Sequence, residues 1–255
     1  MNDVTVITVT HNRVNLLKRA IESVQNQDYN GPIYHMIIVD EDDKMTQHFL
    51  RQITQRYSNV YYFALPNENE DKGTIRLAKL RNWGVKRAKT EWICFLDDDN
   101  IFARNHISSL IQHAIKHNLR AVHSYRILLN RDGTPFLGNY YPWIPDHKEA
   151  KKIYKKLCEI GVMTPGSNIV KDRANTGWVD AGEWLLRRDL LWEIPFREEY
   201  TNEELKNNVG DDDKLLYDLL VAGEPIGCTE KPTLIYYLGG YSNNFKYFES
   251  GDKYD

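Results

Sequence analysis

The chain has 255 residues, a formal net charge of -3, 42% hydrophobic residues and 12% aromatic residues. That length and apolar content allow a substantial core and exclude a disordered segment. A slightly acidic balance excludes tight binding to bulk nucleic acid, so any phosphate recognition must be local.

Val4-Thr5-Val6-Ile7-Thr8-Val9 is short and β-branched, which predicts a strand, and Leu16, Leu17, Ala20, Ile21 and Val24 then recur at helical spacing up to Gln27. A second cycle runs from an apolar strand, Tyr34 to Val39, into a helix over about 45 to 57. A third pairs a strand at Val60 to Leu65 with a helix at Thr74 to Lys89, and a fourth pairs Trp92 to Leu96 with Arg104 to Asn118. Strands alternating with helices over short connections predict a mostly parallel central sheet flanked by helices. Residues 1–118 thus read as a nucleotide-binding half.

The alternation then breaks down. Ala121 to Asn130 reads as a strand, 131–135 as a turn, and Phe136 to Tyr141 as its hairpin partner. A basic helix is expected from His147 to Ile160, a loop over 162–177, a strand at Trp178 to Arg187, a helix at Asp211 to Val221 and a late strand at Thr233 to Leu238. The polar and aromatic tail beyond Gly239 reads as a lid or a frayed end. With no repeat or linker in view, residues 1–255 are expected to form a single domain, with 119–255 as its second functional half.

Acidic residues end two of the apolar strands. Asp40 follows Ile37-Ile38-Val39 and begins the run Asp40-Glu41-Asp42-Asp43, while Asp97-Asp98-Asp99 follows Cys94-Phe95-Leu96. Open α/β sheets bind ligands outside the carboxyl ends of their strands, and hard divalent cations prefer carboxylate oxygens. Three adjacent carboxylates raise one another's pKa unless a cation compensates them, so a metal-centred role is expected over helix capping alone. Thr8, Thr10, His11, Asn12 and Arg13 end the first strand on the same edge, where Asn12 either meets a ligand or caps the first helix. Lys72, Arg76, Lys79 and Arg81 are either a solvated helix face or the counter-charge of a diphosphate. Asp211-Asp212-Asp213 opens a helix and either complements its dipole or supplies a general base.

In order and spacing these elements resemble the family 2 inverting glycosyltransferases, which have the Rossmann-like GT-A fold. The resemblance rests on Val6-Ile7-Thr8-Val9-Thr10-His11-Asn12-Arg13, Ile37-Ile38-Val39-Asp40, Leu80-Arg81-Asn82-Trp83-Gly84-Val85 and, most specifically, Trp92-Ile93-Cys94-Phe95-Leu96-Asp97-Asp98-Asp99-Asn100, which looks like the family's DXD segment. Val179 to Arg188 is similar to the acceptor-side strand, and Asp211-Asp212-Asp213-Lys214-Leu215 stands where the family has a Glu-Asp pair.

The resemblance implies a metal-dependent transferase that moves a sugar from a nucleoside-diphosphate donor to a hydroxyl of a glycan or lipid-linked saccharide. UDP is the expected nucleotide, ahead of GDP or dTDP. Donor contacts implied are Thr8, Thr10, Asn12, Arg13, Asp40 at the nucleobase, Arg81, Asp97 at the ribose or metal, and Asp98. Asp99 with Asp97 would hold Mn2+ or Mg2+. Asp180, Gly182, Glu183 and Trp184 would meet the acceptor, and Asp212 would be the catalytic base, with Asp211 in the usual Glu position as the alternative. The segment from Tyr237 to Asn244 lacks the histidine that many relatives place there. Two other readings compete. A strand ending in Asp-x-Asp also occurs in haloacid-dehalogenase-like Mg-dependent phosphatases, and a non-catalytic carbohydrate-binding relative would use Trp143, Trp178, Trp184 and Trp192 or neighbouring tyrosines to stack on sugars.

Cys94, Cys158 and Cys228 are odd in number and widely spaced, which fits reduced thiols and a cytoplasmic protein. No apolar run reaches the roughly 20 residues that span a bilayer, and the start lacks a leader's basic and apolar regions. Lys148, Lys151, Lys152, Lys155 and Lys156 read as a solvated helix face, with contact to an anionic lipid-linked acceptor at the inner membrane face as the alternative.

Overall fold

The computed structural model describes residues 2–41, 43–68, 71, 73–207, 209–240 and 243. Asp42, Lys72, Tyr241, Ser242 and Asn244 therefore lie outside the described residues, as does the rest of the tail beyond them.

Strands β1 (Val4–Thr10), β2 (Ile33–Asp40), β3 (Val60–Leu65) and β4 (Trp92–Phe95) alternate with helices α1 (Val14–Gln25), α2 (Lys44–Arg56) and α3 (Gly73–Arg87) as the change of period predicts. β1 pairs in parallel with β2 and β4, and β2 with β3. These strands are near-continuously apolar because both faces are covered. Val4, Val6 and Cys94 pack with Ala20 and Val24 of α1 on one face, while Ile7, Ile38, Ile93 and Phe95 pack with Ala78, Leu80 and Val85 of α3 on the other. Asn12 is not a helix cap. Its backbone is left-handed (φ 57°) and its N–H donates to Asp43, whose other oxygen caps α2 at Thr46.

Past β4 the pairing becomes mixed. A two-residue strand β5 (Ile101–Phe102) precedes α4 (His106–His117), and β6 (Ala121–Leu129) follows. Phe136 to Tyr141 does not return as a hairpin strand; a single bridge joins Leu129 to Pro135, and Pro135 and Pro142 at the ends of the segment have no N–H to give a ladder. After α5 (His147–Glu159), the expected loop contains a short strand β7 (Ile169–Val170) and a 3-10 turn at Ala174–Thr176. The strand expected at Trp178 to Arg187 is shorter: Asp180 caps a 3-10 turn, Ala181–Glu183, and only β8 (Trp184–Arg187) is extended. Helices α6 (Arg188–Glu193) and α7 (Asn202–Lys206) were not expected, α8 (Asp211–Val221) was, and β9 runs longer than foreseen (Ile226–Tyr237).

The strand order is β3-β2-β1-β4-β8-β6-β9-β5, with β7 beside β6. β8 is antiparallel to both β4 and β6, while β9 is parallel to β6. The carboxyl ends of β4, β6 and β9 and the amino end of β8 therefore meet at one edge, which is the edge reached by β1 and β2. That arrangement gathers the acidic segments of both halves. No helix among the described residues is long and apolar enough to cross a membrane.

Candidate active site

At the ends of the first strands, Asp40 is held by Arg76, whose Nε donates to it at 2.7 Å while Nη2 donates to the carbonyls of Leu65 and Pro66. One guanidinium thus ties the end of β2 to the end of β3. Thr8 and Thr10 do not face a ligand: Thr8 is fully buried against His35 at 2.9 Å, and the Thr10 hydroxyl donates to Asp98 at 2.7 Å. Their part in the site is to brace other side chains. Asn12 is exposed at the same edge.

The three carboxylates after β4 have different surroundings. Asp98 lies in the turn closed by the Asn100 amide and the Asp97 carbonyl, but its side chain points inward: it is 6% exposed and binds Thr10 and Arg13. Burial raises its pKa, opposed by Arg13. Asp97 is the most open, with its side chain 37% exposed, and accepts from Arg81 at 2.8 Å. Asp99 accepts from Arg13 at 3.1 Å and is 16% exposed. Burial, then the charges of Asp97 and Asp98, push its carboxyl up to about 7 despite Arg13. The backbone at Gly240 passes so close to Asp99 that a Cβ there would lie 2.6 Å from Oδ2, so the segment after β9 approaches this carboxylate.

The cations expected on α3 are a paired set rather than a solvated face. Lys79 binds Asp71, Arg76 binds Asp40, and Arg81 is buried (side chain 4% exposed) between Asp97 and Asp211, to which it donates at 2.7 Å. Arg81 joins residues from the end of β4 and the start of α8. Asp211 is spent on this ion pair and is 4% exposed. Asp212 is the more accessible of the two and touches no cation at hydrogen-bond distance; its Oδ2 accepts from the Ala181 amide at 3.2 Å and its Oδ1 from the Asp213 amide at 3.0 Å. Burial and the charges of Asp213, Asp211 and Asp180 hold its pKa well above the carboxylate range. A raised pKa makes the deprotonated form the stronger base.

On the acceptor side, Asp180 accepts from the Gly182 amide, and Glu183 accepts from the Asp180 amide, closing a reciprocal cap on the 3-10 turn. Gly182, Glu183 and Trp184 are all buried, Glu183 and Trp184 completely. Trp184 does not reach an acceptor, because its ring packs in the core, 5.3 Å from His123. We expect Trp184→Ala to lose about 3–5 kcal/mol in denaturant unfolding and Trp184→Phe to leave the acceptor KM unchanged. A raised KM in the Phe variant would return Trp184 to the cleft.

Several site residues escaped sequence reasoning. Arg126 on β6 sits among Asp172, Asp180 and Glu183, and the Asn100 side chain accepts from the Tyr237 amide at 2.9 Å, holding β9 against the Asp97–Asp99 turn. The signal for Arg126 was available: it interrupts the run from Val122 to Leu129, where a charge must find a buried partner.

A protein-family model described as "Glycosyl transferase family 2" matches residues 5–194. Among curated proteins, the chain is 33% identical over 116 residues to the "GalNAc(5)-diNAcBac-PP-undecaprenol beta-1,3-glucosyltransferase" of Campylobacter jejuni, covering 45% of this chain and 35% of that one. Curated relatives from Rickettsia and Staphylococcus aureus are likewise matched over only 20% to 35% of their length. Among solved structures, Staphylococcus aureus TarS 1-349 in complex with UDP-GlcNAc superposes with a TM-score of 0.62 at 14% identity, covering 98% of this chain and 61% of that one. The mannosyltransferase PcManGT of Pyrobaculum calidifontis, in complex with GDP-Man and Mn2+, gives 0.63 at 14% identity over 95% and 61%.

Proposed function

The chain belongs to glycosyl transferase family 2, and on that premise we propose that it transfers a sugar from a UDP-sugar, with inversion and with the help of Mn2+ or Mg2+, to a hydroxyl of a glycan or lipid-linked saccharide precursor. It has the GT-A type of α/β fold, and family membership displaces the phosphatase alternative. Residues 1–118 serve the donor and residues 119–255 the acceptor and the proton chemistry, within one unit. The observation that carries this reading is Arg81, which bridges Asp97 and Asp211 across 16 and 130 residues of sequence and brings the two acidic clusters into one site.

The residues fit a cation shared with a substrate. Among the described residues no three His, Cys, Asp or Glu side chains converge as a cage, yet Asp97 and Asp99 offer oxygen ligands, and the Asp97 side chain is open to solvent. Mg2+ is commonly held by one or two carboxylates plus substrate phosphates. A cation on Asp99 and Asp97 would act as a Lewis acid on the departing diphosphate. Arg76 fixes Asp40 where it can accept hydrogen bonds from a nucleobase, and Arg13 fixes Asp98 and Asp99. Arg81 neutralises Asp211 and leaves Asp212 to take the acceptor proton. Attack from the Asp212 side, opposite the diphosphate, inverts the anomeric carbon.

The Campylobacter relative is named for an undecaprenol-linked acceptor, and the lysines 148, 151, 152, 155 and 156 of α5 are all exposed along one face. Both support an anionic lipid-linked acceptor met at the cytoplasmic face of the membrane.

A thermal-shift series with UDP, GDP and dTDP, each with Mn2+, Mg2+ or EDTA, tests donor and metal together. UDP with Mn2+ at about 100 times its Kd should add about 2.7 kcal/mol of stability, lost on chelation. Equal stabilisation in EDTA would sink metal-dependent donor binding, and a shift with GDP alone would replace the nucleotide.

A further inference from the structure

Arg126 has partners in four separate segments. Its Nε lies 3.1 Å from Asp172 after β7, and its Nη1 lies 3.2 Å from Asp180 and 3.9 Å from Glu183 in the 3-10 turn. The guanidinium is 4.5 Å from the ring centroid of Trp143, ahead of α5, and 5.7 Å from that of Tyr236 in β9. Arg126, Asp172 and Glu183 are almost fully buried, with side-chain exposures of 4%, 1% and 0%.

Such a cluster is costly. One guanidinium faces three carboxyls, two of them fully buried, and apolar residues of similar volume often stabilise a fold as well or better. Burial holds Asp172 up near 6 and Glu183 well above its usual range, and the two share a hydrogen bond, so protons are retained within the cluster. What an apolar core would lack is a hold on the turn. Asp180, gripped by Arg126, caps Ala181–Glu183, and the next amide in that turn, Ala181 N–H, donates to Asp212 Oδ2 at 3.2 Å. A path of contacts thus runs from Arg126 through Asp180 and Ala181 to Asp212.

We propose that Arg126 is a positioning residue for the transfer reaction, fixing the Asp180–Glu183 turn so that the Ala181 amide orients the Asp212 carboxylate toward the acceptor hydroxyl. It does not touch the donor. The inference rests on Asp212 being the base, and it adds a residue that no acidic motif contains.

The test compares Arg126→Gln, Arg126→Lys and Asp212→Asn with the wild type. UDP release from a UDP-sugar with a saccharide acceptor panel is measured per donor-binding site, the sites being counted by UDP titration. Misplacing a catalytic group by about 1 Å costs on the order of 100-fold. Arg126→Gln should therefore lose roughly that in kcat with donor KM within about twofold, and Arg126→Lys should recover part of the loss. A purely structural role would lower the number of binding sites and leave kcat per site intact, which would overturn the proposal. If Arg126→Gln does not fold, Asp172→Asn, which loosens the far side of the guanidinium, should lower kcat per site with donor KM unchanged; unchanged kcat overturns the proposal there too. Wild-type turnover by Asp212→Asn would instead sink the reading of the base, a failure distinct from a fully active Arg126→Gln beside an inactive Asp212→Asn.

Discussion

Asp212→Asn is expected to lower transfer by about 10²- to 10⁴-fold, the usual worth of a positioned general base, while UDP affinity and its metal dependence stay at wild-type values. The amide is nearly isosteric, and its one carbonyl oxygen can still accept from the Ala181 or the Asp213 amide, so the side chain stays anchored through one of its two hydrogen bonds. The proton acceptor is removed, along with one of two backbone hydrogen bonds. Asp211→Asn should behave differently, because that carboxylate answers Arg81: the variant weakens an ion pair and costs stability as well as rate. A pH profile adds a sign. The Asp212 pKa lies well above the carboxylate range, so kcat/KM in the wild type should fall on acidification at a higher pH than an ordinary Asp would give. Full activity in Asp212→Asn, or the same donor-binding defect in both variants, would defeat the division of labour between the pair.

The first half was legible because each of its strands and helices carries its own period. Val4 to Val9 is β-branched, and Leu17, Ala20, Ile21 and Val24 recur three and four apart, so local patterning coincides with the buried face of α1. The second half carries weaker local signals. Trp178 to Arg187 has the apolar content of a strand, but Asp180 and Glu183 can satisfy backbone amides locally, and that reciprocal cap prevails over extension as far as Glu183. β5 and β7 have two residues each and exist only through pairing with β9 and β6, which no window of sequence contains. The site divides in the same way. The acidic segments stood out as runs of like charge, and Arg13, Arg76 and Arg81 stood out as candidate cations, but which carboxylate each one meets is set only when the sheet edge closes. Trp184 is the opposite case, a residue placed near the acceptor by its neighbours and removed to the core by the alternation of β8.

Arg81→Met is expected to destabilise the folded state strongly. The substitution keeps the aliphatic bulk and leaves two carboxylates without their cation, and breaking a buried pair from one side typically costs about 3–5 kcal/mol. At about 2–4 °C per kcal/mol for a domain of this size, Tm should drop on the order of 10 °C. The two partners contribute unequally. Asp97, with its side chain 37% exposed, can turn to water, while Asp211 at 4% cannot and carries most of the penalty. Burial already raises the Asp211 pKa against the pull of Arg81, so removing Arg81 must raise it further. In the variant the folded state then holds a proton that the unfolded chain releases near pH 4. A group with a raised folded pKa stabilises below its unfolded pKa and loses that contribution as pH rises through the folded value. The deficit of Arg81→Met should therefore be small near pH 4–5 and grow toward pH 8, where nucleotide binding should weaken as well. Lys18→Met is the contrast: Lys18 and its partner Glu22 are 61% and 50% exposed, and surface pairs of that kind contribute about 0–1 kcal/mol. Arg81→Lys separates charge from geometry, since one ammonium cannot reproduce the guanidinium fork that spans both carboxylates. It should recover stability at Asp211 more completely than it recovers donor binding at Asp97. A deficit in Arg81→Met that is the same at pH 5 and pH 8 would mean that Asp211 is not the residue left uncompensated, and that Arg81 joins the two acidic clusters by packing rather than by charge.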